Sequence, residues 1–142
     1  MAKNRKAAAL WTGGLKDGKG TLSTESNVLK NTMYNFSGRF EAGTGTNPEE
    51  LIAAAQAGCY ALALSADLGD AGFKPSIISA SASVTLDEVG GRPTITAIHV
   101  DVRANVPGIT RETFNKIAEA TKSGCPVSRV LNAPITLSTT LE

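Results

Sequence analysis

The feature that most constrains this chain is residues 51–65, which carry no charged side chain and consist mostly of Ala and Leu. Asn47 and Pro48 come just before, and they suit the N-cap and the first position of a helix, with Glu50 placed to complete a capping box. The pattern predicts a helix from Pro48 that ends near residues 69–72. A helix that is apolar all round is buried on most sides, and this one is too short and too rich in small residues for a membrane span.

The length of 142 residues fits one domain covering residues 1–142. A domain of this size has little surface with which to cover a wholly apolar helix. We therefore expect a homodimer in which a second copy completes the burial. Gly58 within the helix costs about 1 kcal/mol relative to alanine, so another backbone or a ligand is expected to approach it closely.

Alternating apolar residues and turn signals predict strands on both sides of this helix. The predicted strands cover residues 7–13, 20–24, about 34–41, 77–87, 94–104 and 135–141. A second helix is predicted from Thr110 to Ser123, and a short third helix begins at Cys125 and Pro126. The fold class is therefore predicted to be α+β, with a mostly antiparallel sheet and a buried central helix.

Charge and composition argue against several classes of protein. The 14 basic and 13 acidic residues leave a net charge of +1, without a run of like charge, so no nucleic-acid or membrane partner is expected. The N-terminal segment lacks the long apolar core of a signal peptide, which predicts a cytoplasmic protein. Cytoplasmic thiols stay mostly reduced. The two cysteines, 66 residues apart, are therefore expected to be reactive thiols or thiols without a structural role, and not a permanent disulfide.

Metal and cofactor sites are not expected either. His99 is the only histidine, and no cluster of ligands has the spacing of a zinc site. The glycine-rich runs spell neither a phosphate-binding loop nor a dinucleotide fingerprint. No Gly-x-Ser-x-Gly element is present to hold a serine nucleophile.

Four residues remain as candidates for chemistry. Cys59 is either a small buried apolar side chain or a reactive thiol. Cys125 stands at the predicted N-cap of the short helix, where N–H groups and the helix dipole would stabilise a thiolate, although it could equally be an ordinary turn residue. Arg39 and Glu49 flank a glycine-rich loop, and each alone has an ordinary explanation, as a solvated arginine and as a first-turn glutamate.

Taken together, residues 38–41, 45–51 and 124–128, with Cys59 between them, resemble the osmotically inducible protein C (OsmC) family and its sister, the organic hydroperoxide resistance family. The likeness covers the whole chain. The resemblance implies hydroperoxide reductases that use no metal and no bound cofactor and that form intertwined homodimers. The position of Arg39 favours the OsmC branch.

The resemblance also implies a role for each candidate residue. Cys59 corresponds to the thiol that attacks the peroxide, Cys125 to the resolving thiol, and Arg39 and Glu49 to their charged partners. The expected cycle passes through sulfenic acid and an intrachain disulfide, and a dithiol reductant then restores the thiols. The alternatives are a redox-sensing or ligand-binding stress module without rapid turnover, and a structural dimer. The position of Cys125 at a helix start would make it the easier thiolate.

Helix geometry adds one expectation about the predicted site. Glu49 and Cys59 are ten residues apart on one predicted helix, which separates them by about 15 Å along its axis. A glutamate side chain cannot cover that distance. Either Glu49 is not part of the site, or it serves the site of another subunit. We expect the second, with Arg39 and Glu49 paired near a Cys59 that another chain supplies.

Overall fold

Two three-stranded sheets and four helices make up the computed structural model, which describes all residues from Met1 to Glu142. The elements are β1 (Ala7–Thr12), β2 (Lys19–Thr24), β3 (Thr32–Tyr34), α1 (Phe36–Phe40), α2 (Pro48–Asp70), β4 (Ile77–Val89), β5 (Arg92–Asn105), α3 (Arg111–Gly124), α4 (Pro126–Val130) and β6 (Ile135–Leu141). The α+β class is confirmed. The chain divides into two compact units, Met1–Leu51 and Ile52–Glu142, and the single domain remains a prediction.

In the first unit, β1, β2 and β3 form an antiparallel sheet, as expected for the N-terminal hairpin. Trp11 on β1 faces Gly20 on β2, and Gly20 in turn faces Tyr34 on β3. The two aromatic rings lie 5.4 Å apart between centroids. A side chain at Gly20 would collide with both rings, so glycine is what allows this aromatic pair to form.

The predicted strand over residues 34–41 is wrong, because β3 stops at Tyr34 and residues Phe36–Phe40 form the helix α1. The physical reason is a helix cap. Asn35 has extended backbone angles, and its Oδ1 accepts a hydrogen bond of 2.7 Å from the N–H of Gly38. An asparagine in this position satisfies a free N–H of the first turn and favours a helix over a continuing strand. Arg39 therefore lies on a helix and not at the end of a strand.

The helix α2 begins and ends where the sequence predicts. The Asn47 side chain accepts a hydrogen bond of 2.8 Å from the N–H of Glu50, which confirms the N-cap. The second hydrogen bond of a capping box, from the N–H of Asn47 to the side chain of Glu50, is not formed. Glu50 instead accepts a hydrogen bond of 3.2 Å from the hydroxyl of Thr46. At the other end, Gly72 has a φ of +88°, a left-handed conformation that glycine adopts without strain.

The second unit contains the sheet β4-β5-β6, in which β4 and β5 are antiparallel and β6 is parallel to β5. The predicted hairpin between β4 and β5 turns at Gly90 and Gly91, and the positive φ of both residues is what a tight two-residue turn requires. One face of this sheet packs on α2 and α3. The core residues are Tyr60, Leu64, Leu68, Val100, Val102, Ala104, Val106, Phe114 and Ala118.

Within one chain, only one side of α2 is covered. Gln56, Tyr60, Leu64 and Leu68 recur every four residues and are fully buried. On the other side Leu62 is 75% exposed. By length and composition alone α2 could cross a membrane, but the core helix of a soluble protein meets the same criterion.

The other residues on the uncovered side of α2 are small. The exposed ones are Ala54, Ala55, Gly58, Ser65, Ala66 and Gly69. A Cβ atom built on Gly58 would meet no other atom within 4 Å, so the close approach expected there is not made by this chain. Between residues 51 and 66 the uncovered side of α2 is thus free of charge and, apart from Leu62, formed by small residues.

Candidate functional site

Two free thiols lie in contact in the second unit. The Sγ atoms of Cys59 and Cys125 are 2.8 Å apart, although 66 residues separate them in the sequence. Cys59 is half-buried on α2, and Cys125 is fully buried. A disulfide has an S–S distance of about 2.05 Å, so the two sulfurs must come about 0.8 Å closer to form the bond.

Cys125 is held by the junction between α3 and α4. Its backbone N–H donates to the carbonyl of Thr121 at 2.9 Å, and its own carbonyl accepts from Arg129 at 3.1 Å. Pro126 occupies the first turn of α4, so Cys125 is the N-cap residue, as predicted. Its sulfur makes no capping hydrogen bond.

The surroundings of the two thiols shift their pKa values in opposite directions. Burial raises the pKa of the Cys59 thiol, and the hydrogen bond with Cys125 raises it further. Burial also acts to raise the pKa of Cys125. The hydrogen bond with Cys59, the N–H groups of Val127 and Ser128 and the hydroxyl of Ser128 outweigh that effect, and the pKa of Cys125 is lowered. Within one chain Cys125 is therefore the more acidic thiol.

A second polar contact lies beside the thiols and was missed by the sequence reasoning. The Nε2 of Gln56 donates to the Oγ of Ser128 at 2.8 Å, and Gln56 is completely buried. Gln56 lies three residues before Cys59, and Ser128 lies three residues after Cys125. The available signal was a single amide in a charge-free helix, one turn from a cysteine.

The two charged candidates form an ion pair in the first unit. The Nη2 of Arg39 donates to the Oε1 of Glu49 at 2.9 Å, and its Nε donates to the same oxygen at 3.2 Å. The Glu49 side chain is only 8% exposed, whereas that of Arg39 is 38% exposed. Glu49 therefore fixes one edge of the guanidinium, and the Nη1 group is left without a protein acceptor.

Aromatic rings surround this arginine. The Arg39 guanidinium lies 5.0 Å from the centroid of the Phe40 ring, and the rings of Phe36 and Phe40 are 4.9 Å apart. Together they border a pocket of about 320 Å³ in the first unit. The lining residues are Trp11, Leu15, Tyr34, Asn35, Phe36, Arg39 and Phe40. The pocket thus combines apolar walls with one cation.

The four predicted residues are therefore brought together as two pairs, one in each compact unit. His99 takes part in neither pair. It is exposed on β5, with Nδ1 2.6 Å from the hydroxyl of Thr136 and Nε2 3.1 Å from the hydroxyl of Ser138. No group of three or more His, Cys, Asp or Glu side chains is placed to hold a metal ion.

Comparison with known proteins gives a consistent result. Residues 41–140 match the family model described as OsmC-like protein. The chain is 50% identical to the peroxiredoxin OsmC of Escherichia coli strain K12 over 142 residues, covering 100% of this chain and 99% of that protein. It is 31% identical over 100 residues to an organic hydroperoxide resistance protein of Xanthomonas axonopodis pathovar citri, covering 70% of this chain and 68% of that protein.

Solved structures agree with the fold. The crystal structure of the organic hydroperoxide resistance protein OhrB of Bacillus subtilis matches with a TM-score of 0.65 and 25% identity. That match covers 96% of this chain and 98% of the other. The sequence and the fold therefore point to the same group of proteins.

Proposed function

This chain belongs to the OsmC-like protein family, and we propose that it is a thiol peroxidase that reduces organic hydroperoxides to alcohols. The observation that carries the proposal is the contact between the free thiols of Cys59 and Cys125, whose sulfurs are 2.8 Å apart. Two thiols at that distance can store the two electrons that reduction of a peroxide requires. The names of the relatives, a peroxiredoxin and an organic hydroperoxide resistance protein, support the same reaction.

The cycle uses each thiol once. The thiolate of Cys59 attacks the terminal peroxide oxygen, the O–O bond breaks, and the leaving alkoxide takes a proton to become the alcohol. Cys59 is then a sulfenic acid. The thiolate of Cys125 attacks that sulfur, an S–S bond forms, and hydroxide leaves and is protonated to water. An external dithiol reduces the disulfide by exchange and restores both thiols.

Activation of Cys59 calls for a further group that favours its thiolate, because burial raises the pKa of this thiol and only the thiolate is a good nucleophile. Arg39 is suited to that role. Glu49 holds one edge of its guanidinium, which leaves Nη1 free to stabilise the thiolate or donate to a peroxide oxygen. In this proposal Glu49 positions Arg39 and does not itself react.

The arginine pair and the attacking thiol come from different subunits in this proposal. Glu49 lies in the first turn of α2 and Cys59 ten residues later on the same unbroken helix, which places them about 15 Å apart along its axis. Two such helices packed antiparallel about a two-fold axis would bring the start of one near the middle of the other. Symmetry would then give two identical sites.

The uncovered side of α2 supports this homodimer. It carries no charge between Leu51 and Ser65, and Gly58 and the nearby alanines would let a second helix approach closely. Leu62, 75% exposed in one chain, would become buried. We take the occupant of this surface to be the α2 helix of a second copy.

The aromatic pocket accounts for a preference for organic substrates. Its rings could cover an alkyl or aryl group while the cation of Arg39 faces the polar peroxide end. Burying such a group stabilises the complex by about 25 cal/mol per Å² of apolar surface. Hydrogen peroxide has no such group, and we propose that it is the poorer substrate.

Catalytic turnover tests the proposed function. The protein, supplied with cumene hydroperoxide and dithiothreitol, is expected to consume many equivalents of peroxide per chain and to reduce hydrogen peroxide more slowly. A redox sensor would instead consume about one equivalent and stop, and a structural dimer would consume none. We also propose a cytoplasmic location, where reduced thiols persist between turnovers.

A further inference from the structure

The contact between Gln56 and Ser128 has no role in the cycle described so far. Gln56 is fully buried on α2, and its amide donates to the hydroxyl of Ser128 on α4 at 2.8 Å. The Oε1 atom of the same amide is buried without a hydrogen-bond partner. A buried polar group with an unmet acceptor disfavours folding, and replacing both partners of such a contact by apolar groups of the same shape is often neutral or stabilising. Stability alone therefore does not explain this residue.

The location of the contact is informative. Gln56 is one turn before Cys59 on α2, and Ser128 is one turn after Cys125 at the start of α4. The Gln56–Ser128 contact and the Cys59–Cys125 contact thus join the same two segments, one helical turn apart, and both measure 2.8 Å. The amide and the hydroxyl form a second connection that runs beside the pair of sulfurs.

The hydrogen bond also determines what the serine hydroxyl can do. Because the Gln56 amide donates to the Ser128 oxygen, the hydroxyl hydrogen remains free to be donated elsewhere. The neighbouring acceptor is the sulfur of Cys125, the N-cap residue of α4, three residues before Ser128. The hydroxyl and the backbone N–H of Ser128 act to lower the pKa of that thiol. Hydrogen-bond donors near a sulfur favour the thiolate over the thiol.

We propose that Gln56 and Ser128 are positioning residues that hold the sulfur of Cys125 as a thiolate against Cys59 and so speed closure of the disulfide. The inference rests on the proposed role of Cys125 as the resolving thiol. In that step the S–S bond forms as the S–O bond of the sulfenic acid breaks, and the departing hydroxide is protonated by solvent. Ser128 acts on Cys125 directly, and Gln56 acts through Ser128.

The first test measures the thiolate without any peroxide chemistry. In a Cys59→Ser background Cys125 is the only cysteine, so ultraviolet thiolate absorbance across pH, corrected with the cysteine-free double variant, reports its pKa. Ser128→Ala should raise that pKa by about one unit, equivalent to a tenfold smaller thiolate fraction near neutral pH. Gln56→Leu should raise it in the same direction. Combining Gln56→Leu with Ser128→Ala should raise the pKa of Cys125 only slightly more than Ser128→Ala alone, because the amide acts through the hydroxyl.

Two matched variants separate positioning from a merely structural effect. Ser128→Thr keeps the hydroxyl and should keep the pKa of Cys125. Ser123→Ala, the same chemical change at an exposed residue of α3, should leave it unmoved. If Ser128→Ala and Gln56→Leu leave the pKa of Cys125 at its parent value, the proposal is overturned, whether or not either variant lowers the melting temperature.

The second test follows the resolving step with both cysteines present. After one equivalent of cumene hydroperoxide, Ser128→Ala should oxidise Cys59 at the parent rate but close the disulfide about tenfold more slowly. More sulfenic acid should then be trapped by dimedone. Unchanged closure would contradict the proposal. If peroxide never oxidises Cys59, the proposed function itself fails, and the thiolate measurement still decides the role of Gln56 and Ser128.

Discussion

Glu49 accepts hydrogen bonds from both Nε and Nη2 of Arg39, at 3.2 and 2.9 Å to the same carboxylate oxygen. The contact is made along one edge of the guanidinium, and the Glu49 side chain is only 8% exposed. Glu49 thus determines which way the arginine faces. The adjacent Glu50 is exposed and bonds instead to Thr46, so these neighbouring glutamates provide a direct comparison.

Glu49→Gln should lower kcat/KM for cumene hydroperoxide by about 10- to 100-fold, because a neutral amide loses the charge-assisted hydrogen bonds that orient Arg39. Steady-state kinetics with a dithiol reductant measure the change. Glu50→Gln makes the same substitution one residue later and should keep activity within about twofold. Equal effects of the two substitutions would argue against a positioning role for Glu49.

Removal of the arginine should change the pH dependence of the first oxidation. Burial raises the pKa of Cys59, and in the proposed site the Arg39 cation opposes that shift. In Arg39→Met the pKa of Cys59 should therefore be higher, the thiolate scarcer at neutral pH, and the rising limb of the rate profile displaced to higher pH. Stopped-flow measurement of peroxide consumption across pH tests this. If the rate rises at the same pH in the wild type and in Arg39→Met, Arg39 is not the activating cation.

Mixed dimers test whether the site is shared between chains. Cys59→Ser and Glu49→Ala should each be inactive or nearly so. When subunits exchange at equal amounts, about half of the dimers contain both kinds of chain, and each of these has one intact site. Activity should then return to about a quarter of the wild-type value. If exchange is shown by mass spectrometry and no activity returns, Glu49 and Cys59 belong to the same chain's site.

The proposed homodimer depends on the uncovered side of α2. Leu62→Glu places a charge at the proposed interface, where burying it without a partner is unfavourable, and should shift the protein from dimer to monomer in analytical ultracentrifugation. Val89→Glu is the matched control, since Val89 is also an exposed apolar residue, at 55%, but lies at the β4–β5 hairpin. Dissociation by both variants, or by neither, would not fit an interface centred on α2.

Much of the fold could be predicted from local sequence signals. Asn47 and Pro48 gave the start of α2, and the paired glycines at residues 90–91 gave the β4–β5 hairpin. These elements are set by caps and turns whose chemistry is contained within a few residues. The strand over residues 34–41 failed because the cap at Asn35 turns the chain into α1, and an alternating pattern does not reveal a competing side-chain hydrogen bond.

Local sequence patterns predicted less of the candidate site than of the fold. The pairing of Cys59 with Cys125 and of Arg39 with Glu49 came from the family resemblance, because contacts between distant residues depend on tertiary packing. Gln56 was overlooked for the same reason: its partner Ser128 is 72 residues away. A single amide in a charge-free helix, one turn from a cysteine, marks the position but does not indicate which distant residue it contacts.

The intact mass of the protein after one equivalent of cumene hydroperoxide tests the central claim most directly, namely that Cys59 is oxidised first and Cys125 resolves it. The wild-type chain should lose about 2 Da as the disulfide forms, and Cys125→Ser should gain about 16 Da or more as sulfenic or higher acids. Cys59→Ser should keep its mass. Oxidation of Cys59→Ser together with an unchanged mass of Cys125→Ser would reverse the two roles and contradict the account.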